Sequence, residues 1–396
     1  MKKMYLPENV KYIISRLNEC GFRADAVGGC VRDFLLGKAP FDYDVTTNAT
    51  PEEMKEVFCE KKTVETGIKH GTLTVILSGE PYEITTYRID GEYSDNRRPD
   101  SVSFSKELIE DLSRRDFTVN AICYNEKDGY TDKFSGIEDI KKRIIRAVGE
   151  PRKRFSEDAL RIMRAIRFAS VLGFSIEEKT ALAVHNQKEL LKNISKERIL
   201  VEWHKLIGGV YAYQILGEYS DVISEIIPEL ETLNLPKKEL FDAATPDARE
   251  LSLFLLSCKE NPEEKFARAM DNLRSDSKHK KLGVRVLSAI DDVIETDTDI
   301  KLILMKIEKE ATEKLLDVKI LIGEANPEIK DRFKKIIERG EAYRLSDLKI
   351  DGSDLLKLGI SGENIGITLK NLLVSVIRGE IENERQSLIS SVTKEF

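Results

Sequence analysis

The sequence predicts an α+β protein in which a small mixed or antiparallel sheet is followed by an all-helical remainder. Two observations carry this prediction. Nearly all segments with strand-like alternation precede residue 150, and the later segments have helical spacing with a polar start and a closing glycine. A chain of 396 residues has room for about two to four domains. We expect a head at 1–150, a neck at 151–206, a body at 207–270 and a tail at 271–396.

The elements of the head are predicted in order along the chain. Residues 8–20 place four apolar side chains on one helical face and end at Gly21. The letters ADAV then predict a strand, and VRDFLLG predicts a helix after a glycine pair. Two further strands, LTVIL (73–77) and YEITTYR (82–88), are separated by SGEP, which predicts a hairpin.

Three long segments of the remainder each predict one helix: SEDALRIMRAIRFASVLG, SKERILVEWHKLIG and DIKLILMKIEKEATEKLLDVKILIG. Ser156 and Ser195 are the expected N-caps of the first two, because serine accepts a backbone hydrogen bond there. We interpret Trp203 as a core residue.

Composition excludes several classes of protein. Hydrophobic residues make up 41% and charged residues 34%, which is typical of a folded globular protein. Neither a secretory signal nor an apolar run of about 18 residues is recognisable, so we expect a cytoplasmic protein without a membrane span. The five cysteines form no C-x-x-C pair and predict free thiols, and the four histidines lack the spacing of a zinc site.

The segment FDYDVTT (41–47) contains two carboxylates that are separated by one residue. If it is a strand, Asp42 and Asp44 project from the same face, and their carboxylates repel. A divalent cation with oxygen ligands, such as Mg²⁺, offsets that repulsion. Glu83 lies on the opposite face of its strand from the apolar residues and is a plausible third carboxylate. Three such groups could hold a pair of metals for phosphoryl transfer. A D-x-D pair alone is more often only surface charge.

A glycine pair lies directly upstream, in AVGGCVRD. Gly28 and Gly29 between a strand and a helix let backbone amides approach a phosphate. The guanidinium of Arg32 adds a positive charge with several hydrogen-bond donors. The alternative is a tight turn with a structural arginine. Residues 141–167 carry a local charge of +7 inside a chain whose net charge is −7. This basic segment is either a solvated helix face or a site for anionic ligands.

These motifs together resemble the class II tRNA nucleotidyltransferases, the CCA-adding enzymes of the polymerase-β-like superfamily. GGCVRD with DYD matches the catalytic motif, RRDFTVNAI (114–122) matches the second motif, and EDALRIMRAIRFA (157–169) matches the third. The resemblance implies addition of C, C and A to the 3′ end of tRNA from CTP and ATP, with Mg²⁺. It also implies that the helical tail binds tRNA.

Selection of C and A without a template has a chemical basis. Both bases present an exocyclic amine beside an unprotonated ring nitrogen, which a carboxylate and a guanidinium can read together. The resemblance assigns this reading to Asp158 and Arg161, which helical spacing makes neighbours; the alternative is an exposed ion pair. The other residues that the resemblance assigns to nucleotide binding are Gly29, Arg32, Arg115, Asp116, Asn120, Arg164 and Arg167. Asp116 could instead pair with Arg114.

Three alternatives stay open at this point. The chain could be a CC-adding or an A-adding enzyme, it could be a bacterial poly(A) polymerase, or it could be an RNA-binding module without activity. We expect the segment at 90–104 to be a mobile loop needed for the final A, because its composition is polar and turn-forming. In the family, CC-adding enzymes lack an element there. The oligomeric state is expected to be a monomer or a homodimer.

Overall fold

The computed structural model of the protein describes residues 3–91 and 101–395. The chain divides into two compact units, residues 1–226 and 227–396. All strands within the described residues belong to the first unit, so the predicted order of a sheet followed by helices is confirmed. The finer division into head, neck, body and tail stays a prediction.

Seven strands of the described residues form one mixed sheet in the order β3-β4-β5-β2-β1-β8-β9. Strand β2 runs parallel to β5, and the remaining neighbours are antiparallel. The strands are β1 (Ala24–Val27), β2 (Asp44–Thr47), β3 (Lys62–Val64), β4 (Thr72–Leu77), β5 (Glu80–Thr86), β6 (Arg88–Asp90), β7 (Val102–Phe104), β8 (Ile122–Asn125), β9 (Gly129–Asp132), β10 (Ile144–Ile145) and β11 (Ser175–Ile176). Strands β6 and β7 form a separate antiparallel pair, and β10 and β11 a parallel one.

The predicted hairpin is present between β4 and β5. Its two turn residues, Ser78 and Gly79, have φ values of 53° and 85°. Two consecutive positive φ values are typical of the type I′ turn, whose twist matches that of the flanking strands.

Helices flank the sheet and then continue the first unit. They are α1 (Glu8–Glu19), α2 (Gly29–Leu35), α3 (Pro51–Val57), α4 (Leu108–Ser113), α5 (Gly136–Lys142), α6 (Pro151–Glu157), α7 (Leu160–Leu172), α8 (Glu178–Gln187), α9 (Lys196–Ile207), α10 (Ala212–Glu218) and α11 (Ser220–Ile226). The predicted apolar face of α1 is buried, and Trp203 on α9 is fully buried as expected. Ser195 is the N-cap of α9, although its side chain makes no capping hydrogen bond.

The prediction of one helix beginning at Ser156 is wrong. Helix α6 ends at Glu157, Asp158 has an extended backbone (φ −133°, ψ 102°), and α7 begins at Leu160. Asp158 Oδ1 accepts the Leu160 N–H at 3.1 Å, a local contact at the first residue of the new helix. Ser156 lies inside α6 and donates to the Arg152 carbonyl.

The second unit is helical throughout its described residues. Its helices are α12 (Lys238–Ala243), α13 (Pro246–Ser257), α14 (Pro262–Asn272), α15 (Ser277–Leu287), α16 (Asp297–Ile322), α17 (Ile329–Glu338), α18 (Gly352–Lys357), α19 (Asn364–Ile377) and α20 (Arg385–Glu395). Leu304, Leu316 and Phe333 belong to a buried cluster contributed by α16 and α17. A second cluster near the C-terminus contains Leu355, Leu373 and Leu388.

Helix α16 departs from the single helix that its sequence predicts. Glu308 has φ 65° and ψ 168°, which breaks the helical backbone at this point. Arg285 donates to the Ile307 carbonyl at 3.4 Å and to Glu308 Oε2 at 2.6 Å. Arg285 belongs to α15, so a local spacing pattern in α16 cannot anticipate these contacts.

Two expectations from composition can be compared with the structure. The five cysteines, all within described residues, form no disulfide. Every helix in residues 3–91 and 101–395 is too short or too polar to cross a lipid bilayer.

Candidate active site

The turn between β1 and α2 brings the backbone close to the Arg115 side chain. Gly28 has φ +81° and ψ −128°, a conformation that residues with a side chain rarely adopt. A Cβ atom at this position would lie 3.2 Å from Arg115 Nη1. Gly29 then begins α2, which carries Arg32, so the predicted strand–glycine–helix arrangement is confirmed.

The two carboxylates of FDYDVTT lie on either side of Tyr43. Strand β2 begins only at Asp44, so the prediction that Asp42 lies within the strand is wrong. Asp42 Oδ1 accepts the Tyr43 backbone N–H at 2.9 Å, a local contact of the kind that competes with strand pairing. Both carboxylates are nevertheless exposed, while Tyr43 is half-buried and Val45 is buried.

Glu83 lies beside Asp44 on the neighbouring strand. Val45 pairs with Ile84 in parallel register, and Asp44 and Glu83 each directly precede this pair. Because paired residues share a face and successive residues alternate, the two carboxylates project on the same side of the sheet. The structure thus places Glu83 where the strand pattern predicted it.

The electrostatics of this carboxylate group fit a hard divalent cation. Partial desolvation raises the pKa of Asp44, Arg115 opposes this, and Asp42 and Glu83 raise it further. Carboxylate oxygens are ligands that Mg²⁺ accepts, and a bound cation would relieve the mutual repulsion. Among the described residues, however, the oxygens of these three side chains do not all lie within 4.8 Å of one another.

Arg115 is anchored by Asp111, a fully buried carboxylate that sequence reasoning missed. Asp111 accepts hydrogen bonds from Arg115 Nη2 at 3.2 Å and from Arg114 Nη2 at 2.6 Å. It also accepts from the Thr46 hydroxyl at 3.2 Å, which ties this group to β2. The spacing of Asp111 three and four residues before the two arginines was the available signal.

Asp116, Asn120 and Arg32 form one buried chain of hydrogen bonds. The side-chain amide of Asn120 donates to Asp116 Oδ1 at 3.0 Å. The amide oxygen of the same side chain, Asn120 Oδ1, accepts from Arg32 Nη1 at 2.7 Å. Asp116 Oδ2 accepts from Arg164 Nε at 2.9 Å. Asp116 therefore pairs with Arg164, and the alternative of a pair with Arg114 is wrong, because Arg114 is taken by Asp111.

Three of the arginines assigned to nucleotide binding lie close to Phe168. The sequence pattern assigns no role to Phe168. The guanidinium carbons of Arg32, Arg164 and Arg167 lie 5.1, 5.2 and 3.5 Å from its ring centroid. Contacts of this kind stabilise cations over an aromatic face. Arg167 also donates to Glu202 on α9 at 2.7 Å. An aromatic residue inside a helix indicates a core position, so no local signal marked Phe168.

Asp158 and Arg161 are close in sequence but do not pair with each other. Asp158 Oδ2 accepts from Arg198 Nη2 at 3.3 Å, on α9. Arg161 donates to Glu157 Oε2 at 2.9 Å, to the Arg154 carbonyl and to the Arg114 carbonyl. The alternative of an exposed Asp–Arg ion pair is therefore wrong for this pair, and Arg161 is only 8% exposed. Sequence reasoning missed Glu157 and Arg198 as their partners.

Three protein-family models match successive parts of the chain. The "Poly A polymerase head domain" covers residues 25–146. The model described as "Probable RNA and SrmB- binding site of polymerase A" covers residues 173–232. A model of tRNA nucleotidyltransferase domain 2 covers residues 245–392.

Individual relatives match nearly the whole chain. The CCA-adding enzyme of Lactobacillus helveticus is 38% identical over 385 residues, which span 95% of this chain and 94% of that protein. The CCA-adding enzyme of Lactobacillus delbrueckii subsp. bulgaricus is 39% identical, with 95% of each chain covered. The crystal structure of the Bacillus stearothermophilus CCA-adding enzyme in complex with CTP has a TM-score of 0.81 and 31% identity, and the match covers 99% of this chain and 98% of that chain.

These matches confirm the resemblance that the three motifs indicated. They are full-length, they exceed 30% identity, and they agree with the observed sheet followed by helices. This chain therefore belongs to the CCA-adding enzymes and is a tRNA nucleotidyltransferase.

Proposed function

We propose that this chain adds C, C and A to the 3′ end of tRNA, using CTP and ATP and releasing pyrophosphate, with Asp158 and Arg161 reading the incoming base. One observation supports this best. The two side chains are each held by other protein groups instead of by each other. Their remaining hydrogen-bonding atoms are thus available to a ligand.

The free atoms match the shared edge of cytosine and adenine. A carboxylate accepts at about four lone-pair sites, and Asp158 uses two of them, for Leu160 N–H and Arg198. Arg161 Nε makes no hydrogen bond within the described residues. Asp158 accepts from the exocyclic amine, and Arg161 donates to the ring nitrogen. Uracil and guanine place a carbonyl and a ring N–H there, which leaves like groups facing each other.

We assign the phosphate chemistry to the glycine turn, the arginines beside it and the carboxylates. The 3′ hydroxyl of tRNA attacks the α-phosphate of the nucleotide, and the bond to pyrophosphate breaks. Arg32 and Arg115 are the cations nearest the Gly28–Gly29 turn and balance the charge of the leaving group. Asp116 and Asn120 orient Arg32 and Arg164 and contact the sugar. Mg²⁺, held by Asp42 and Asp44 with Glu83 beside them, supplies charge neutralisation and activation of the hydroxyl when it is bound.

The proposal draws on the relatives for its substrates. The related B. stearothermophilus enzyme was solved in complex with CTP. A match to an RNA-binding model over 173–232 supports an RNA partner for the first unit. We assign tRNA binding also to the helical second unit, whose residues 245–392 match a tRNA nucleotidyltransferase model.

The deciding experiment offers each labelled nucleotide separately to the purified protein. Three acceptors are compared: tRNA lacking CCA, tRNA ending in C, and tRNA ending in CC. The proposal requires C on the first two, A on the third, and neither U nor G on any. Addition that stops at CC would establish the CC-adding alternative, and addition of A alone to CC ends would establish the A-adding one. Long A tails on unrelated RNA would establish a poly(A) polymerase.

A further inference from the structure

Asp111 is a buried carboxylate of the first unit that no step described so far uses. It lies on α4, and its side chain is fully buried. Asp111 Oδ1 accepts from Arg114 Nε at 3.0 Å and from Arg114 Nη2 at 2.6 Å. Asp111 Oδ2 accepts from Arg115 Nη2 and from the Thr46 hydroxyl, both at 3.2 Å. Each carboxylate oxygen therefore has two donors, which fixes the side chain in one orientation.

The Asp111 carboxylate keeps its charge at neutral pH. Burial alone would raise its pKa, but Arg115 and Arg114 lower the pKa of Asp111 below its ordinary value. The side chains of both arginines are largely buried as well. Removing one member of a buried group of charges leaves the others without compensation. The three side chains are therefore held as a unit.

One contact of Asp111 reaches the strand that carries a catalytic carboxylate. Thr46 lies two residues after Asp44 on β2, so both side chains project from the same face of the strand. The hydrogen bond from the Thr46 hydroxyl to Asp111 holds α4 against this strand. The position of α4 is thus set relative to Asp44.

A second contact leaves Arg115 with donors for a ligand. Arg115 Nη2 is taken by Asp111, while Arg115 Nη1 lies 3.2 Å from the position of a Cβ added at Gly28. The buried Nε of Arg115 has no hydrogen-bond partner among the described residues. A buried donor without a partner is costly. Arg115 is therefore fixed on one side by Asp111 and unsatisfied on the side that an anionic group at the glycine turn would satisfy.

The third contact leads to Arg161. Asp111 holds the side chain of Arg114, and the backbone carbonyl of Arg114 accepts from Arg161 Nη2 at 2.9 Å. A displacement of Arg114 would therefore move one of the groups that fix the Arg161 guanidinium. The same carboxylate thus acts on Arg115 directly and on Arg161 through one intervening residue.

We infer that Asp111 is a positioning residue that sets the orientations of Arg115 and Arg161 together, relative to the strand that carries Asp44. Loss of its charge then affects the binding of the nucleotide phosphates and the selection of the base at the same time. The inference rests on the proposed function, which assigns the base to Arg161 and the phosphates to Arg115. It adds a requirement to that function, because Asp111 is fully buried and acts only through its neighbours.

The test compares Asp111→Asn with Asp25→Asn in the full chain. Asp25 is an equally buried aspartate on β1 that accepts from Arg23, Tyr87 and Asn125. Both variants remove a buried charge, so both should lower the free energy of unfolding. We expect only Asp111→Asn to raise the KM for CTP and ATP and to reduce the preference for them over UTP and GTP, each by about 10- to 100-fold, because a misplacement of about 1 Å can cost about 10²-fold.

The measurements are KM, kcat and relative incorporation of the four nucleotides, on tRNA lacking CCA and on tRNA ending in CC. Each variant is first shown to be folded by circular dichroism. A general loss of stability would lower the active fraction, and therefore kcat, without changing the KM or the preference.

Two further variants separate the contacts and decide the inference if Asp111→Asn does not fold. Arg114→Gln removes the side chain that Asp111 holds but keeps the carbonyl that Arg161 uses, and we expect a loss of preference for C and A. Thr46→Val removes only the hydroxyl contact to β2. We expect this variant to lower kcat with CTP and ATP alike and to keep the preference, because both arginines retain Asp111.

Several results would overturn the inference. One is a folded Asp111→Asn or Arg114→Gln variant whose KM and preference equal those of the wild type. Another is an equal loss of preference in Asp25→Asn, since general loosening of the first unit would then be the cause. If the wild-type protein itself shows no preference for C and A, the proposed function fails and the inference fails with it. If the wild type has this preference and Asp111→Asn keeps it, only the inference fails.

Discussion

The side chain of Arg161 is held in place before a nucleotide binds, which would favour discrimination between bases. Its guanidinium is fixed by Glu157 and by two backbone carbonyls before any nucleotide arrives. A donor held in place loses little freedom on binding, so more of each hydrogen bond appears as affinity. The same rigidity prevents the site from adapting to a base that presents a donor of its own. If Arg161 reads the base as proposed, rejection of U and G follows from hydrogen bonds that cannot form.

Changing this pair should alter which nucleotide is used. We expect an Asp158→Ala and Arg161→Ala double variant to lose roughly 5- to 150-fold of its preference for CTP and ATP over UTP and GTP, since a good bidentate contact is worth about 1–3 kcal/mol. The measurement is relative incorporation of the four nucleotides by a variant shown to be folded. Arg198→Ala, which removes only the partner of Asp158, should give a smaller loss. An unchanged preference in the double variant would return both residues to a structural role.

The exposed carboxylates of the head should be needed for both kinds of addition. We expect Asp42→Ala or Asp44→Ala to reduce C addition and A addition alike, on the order of 10² to 10³-fold, as for removal of one group that stabilises developing charge. Binding of tRNA should stay nearly intact, because RNA affinity depends on contacts from basic residues. The two rates and the Kd for tRNA are measured in parallel. Near wild-type addition by either variant would contradict the metal assignment.

Asp116 makes the stability of the folded protein depend on pH in the acid range. Burial alone would raise its pKa, but Arg164 and Asn120 lower the pKa of Asp116 to about 2. Because the folded pKa lies below the unfolded value, the stabilisation is complete above pH 4 and is lost as pH falls toward 2. The shift corresponds to about 2 kcal/mol, at about 1.4 kcal/mol per unit.

Asp116→Asn should therefore lower the free energy of unfolding by about 2 kcal/mol at neutral pH. The difference from wild type should shrink between about pH 4 and pH 2. Denaturant unfolding at several pH values measures it, with Asp331→Asn, at an exposed aspartate, as the control. A difference that stays constant down to pH 2 would contradict the linkage.

At the scale of elements, the β1–α2 turn depends on one glycine. Gly28→Ala should lower the free energy of unfolding by about 1–3 kcal/mol, because its backbone conformation is strained for alanine. It should also lower activity, since the new Cβ approaches Arg115 at 3.2 Å. Gly129→Ala is the matched control: Gly129 has φ +74°, but a Cβ added there would meet no atom of the described residues within 4 Å. A Gly129 variant that loses as much activity would rule out the contact as the cause.

A second prediction at the scale of elements concerns the hairpin formed by β6 and β7. Arg88 pairs with Phe104 and Asp90 with Val102, so the stem of the segment at 90–104 is formed. The predicted loop itself, residues 92–100, lies outside the described residues, and its role in the final A stays a prediction. Replacing residues 92–99 with a short Gly-Ser linker should abolish A addition to tRNA ending in CC and retain C addition. Equal loss of both activities, or of neither, would contradict it and favour CC addition.

For the whole molecule, the distribution of charge matters more than its total. The chain has a net charge of −7, yet residues 141–167 carry a local balance of +7. In the structure the three arginines of this segment on α7 are not a solvated helix face: Arg161 and Arg167 are at least nine-tenths buried, and Arg164 is paired with Asp116. Buried cations are costly unless they are paired, so their partners Glu157, Glu202 and Asp116 belong to the same arrangement.

The sequence by itself determined the order of the fold and the family. The alternating strands before residue 150, the apolar face of α1 and the I′ hairpin depend on neighbours within a few residues. Local spacing reports such features directly. The glycine turn follows from its local glycine pair, and the face of Glu83 follows from strand periodicity.

Only the tertiary structure decided which residues pair. Asp116 pairs with Arg164 across 48 positions, Asp158 with Arg198 across 40, and Asn120 with Arg32 across 88. Asp111 and Phe168 became part of the site only because β2 and three arginines converge on them. The kink at Glu308 likewise involves a partner that helical spacing does not contain, Arg285 on another helix. Hydrogen bonds and ion pairs act over a few ångströms in space, and the chain brings such groups together only when it is folded.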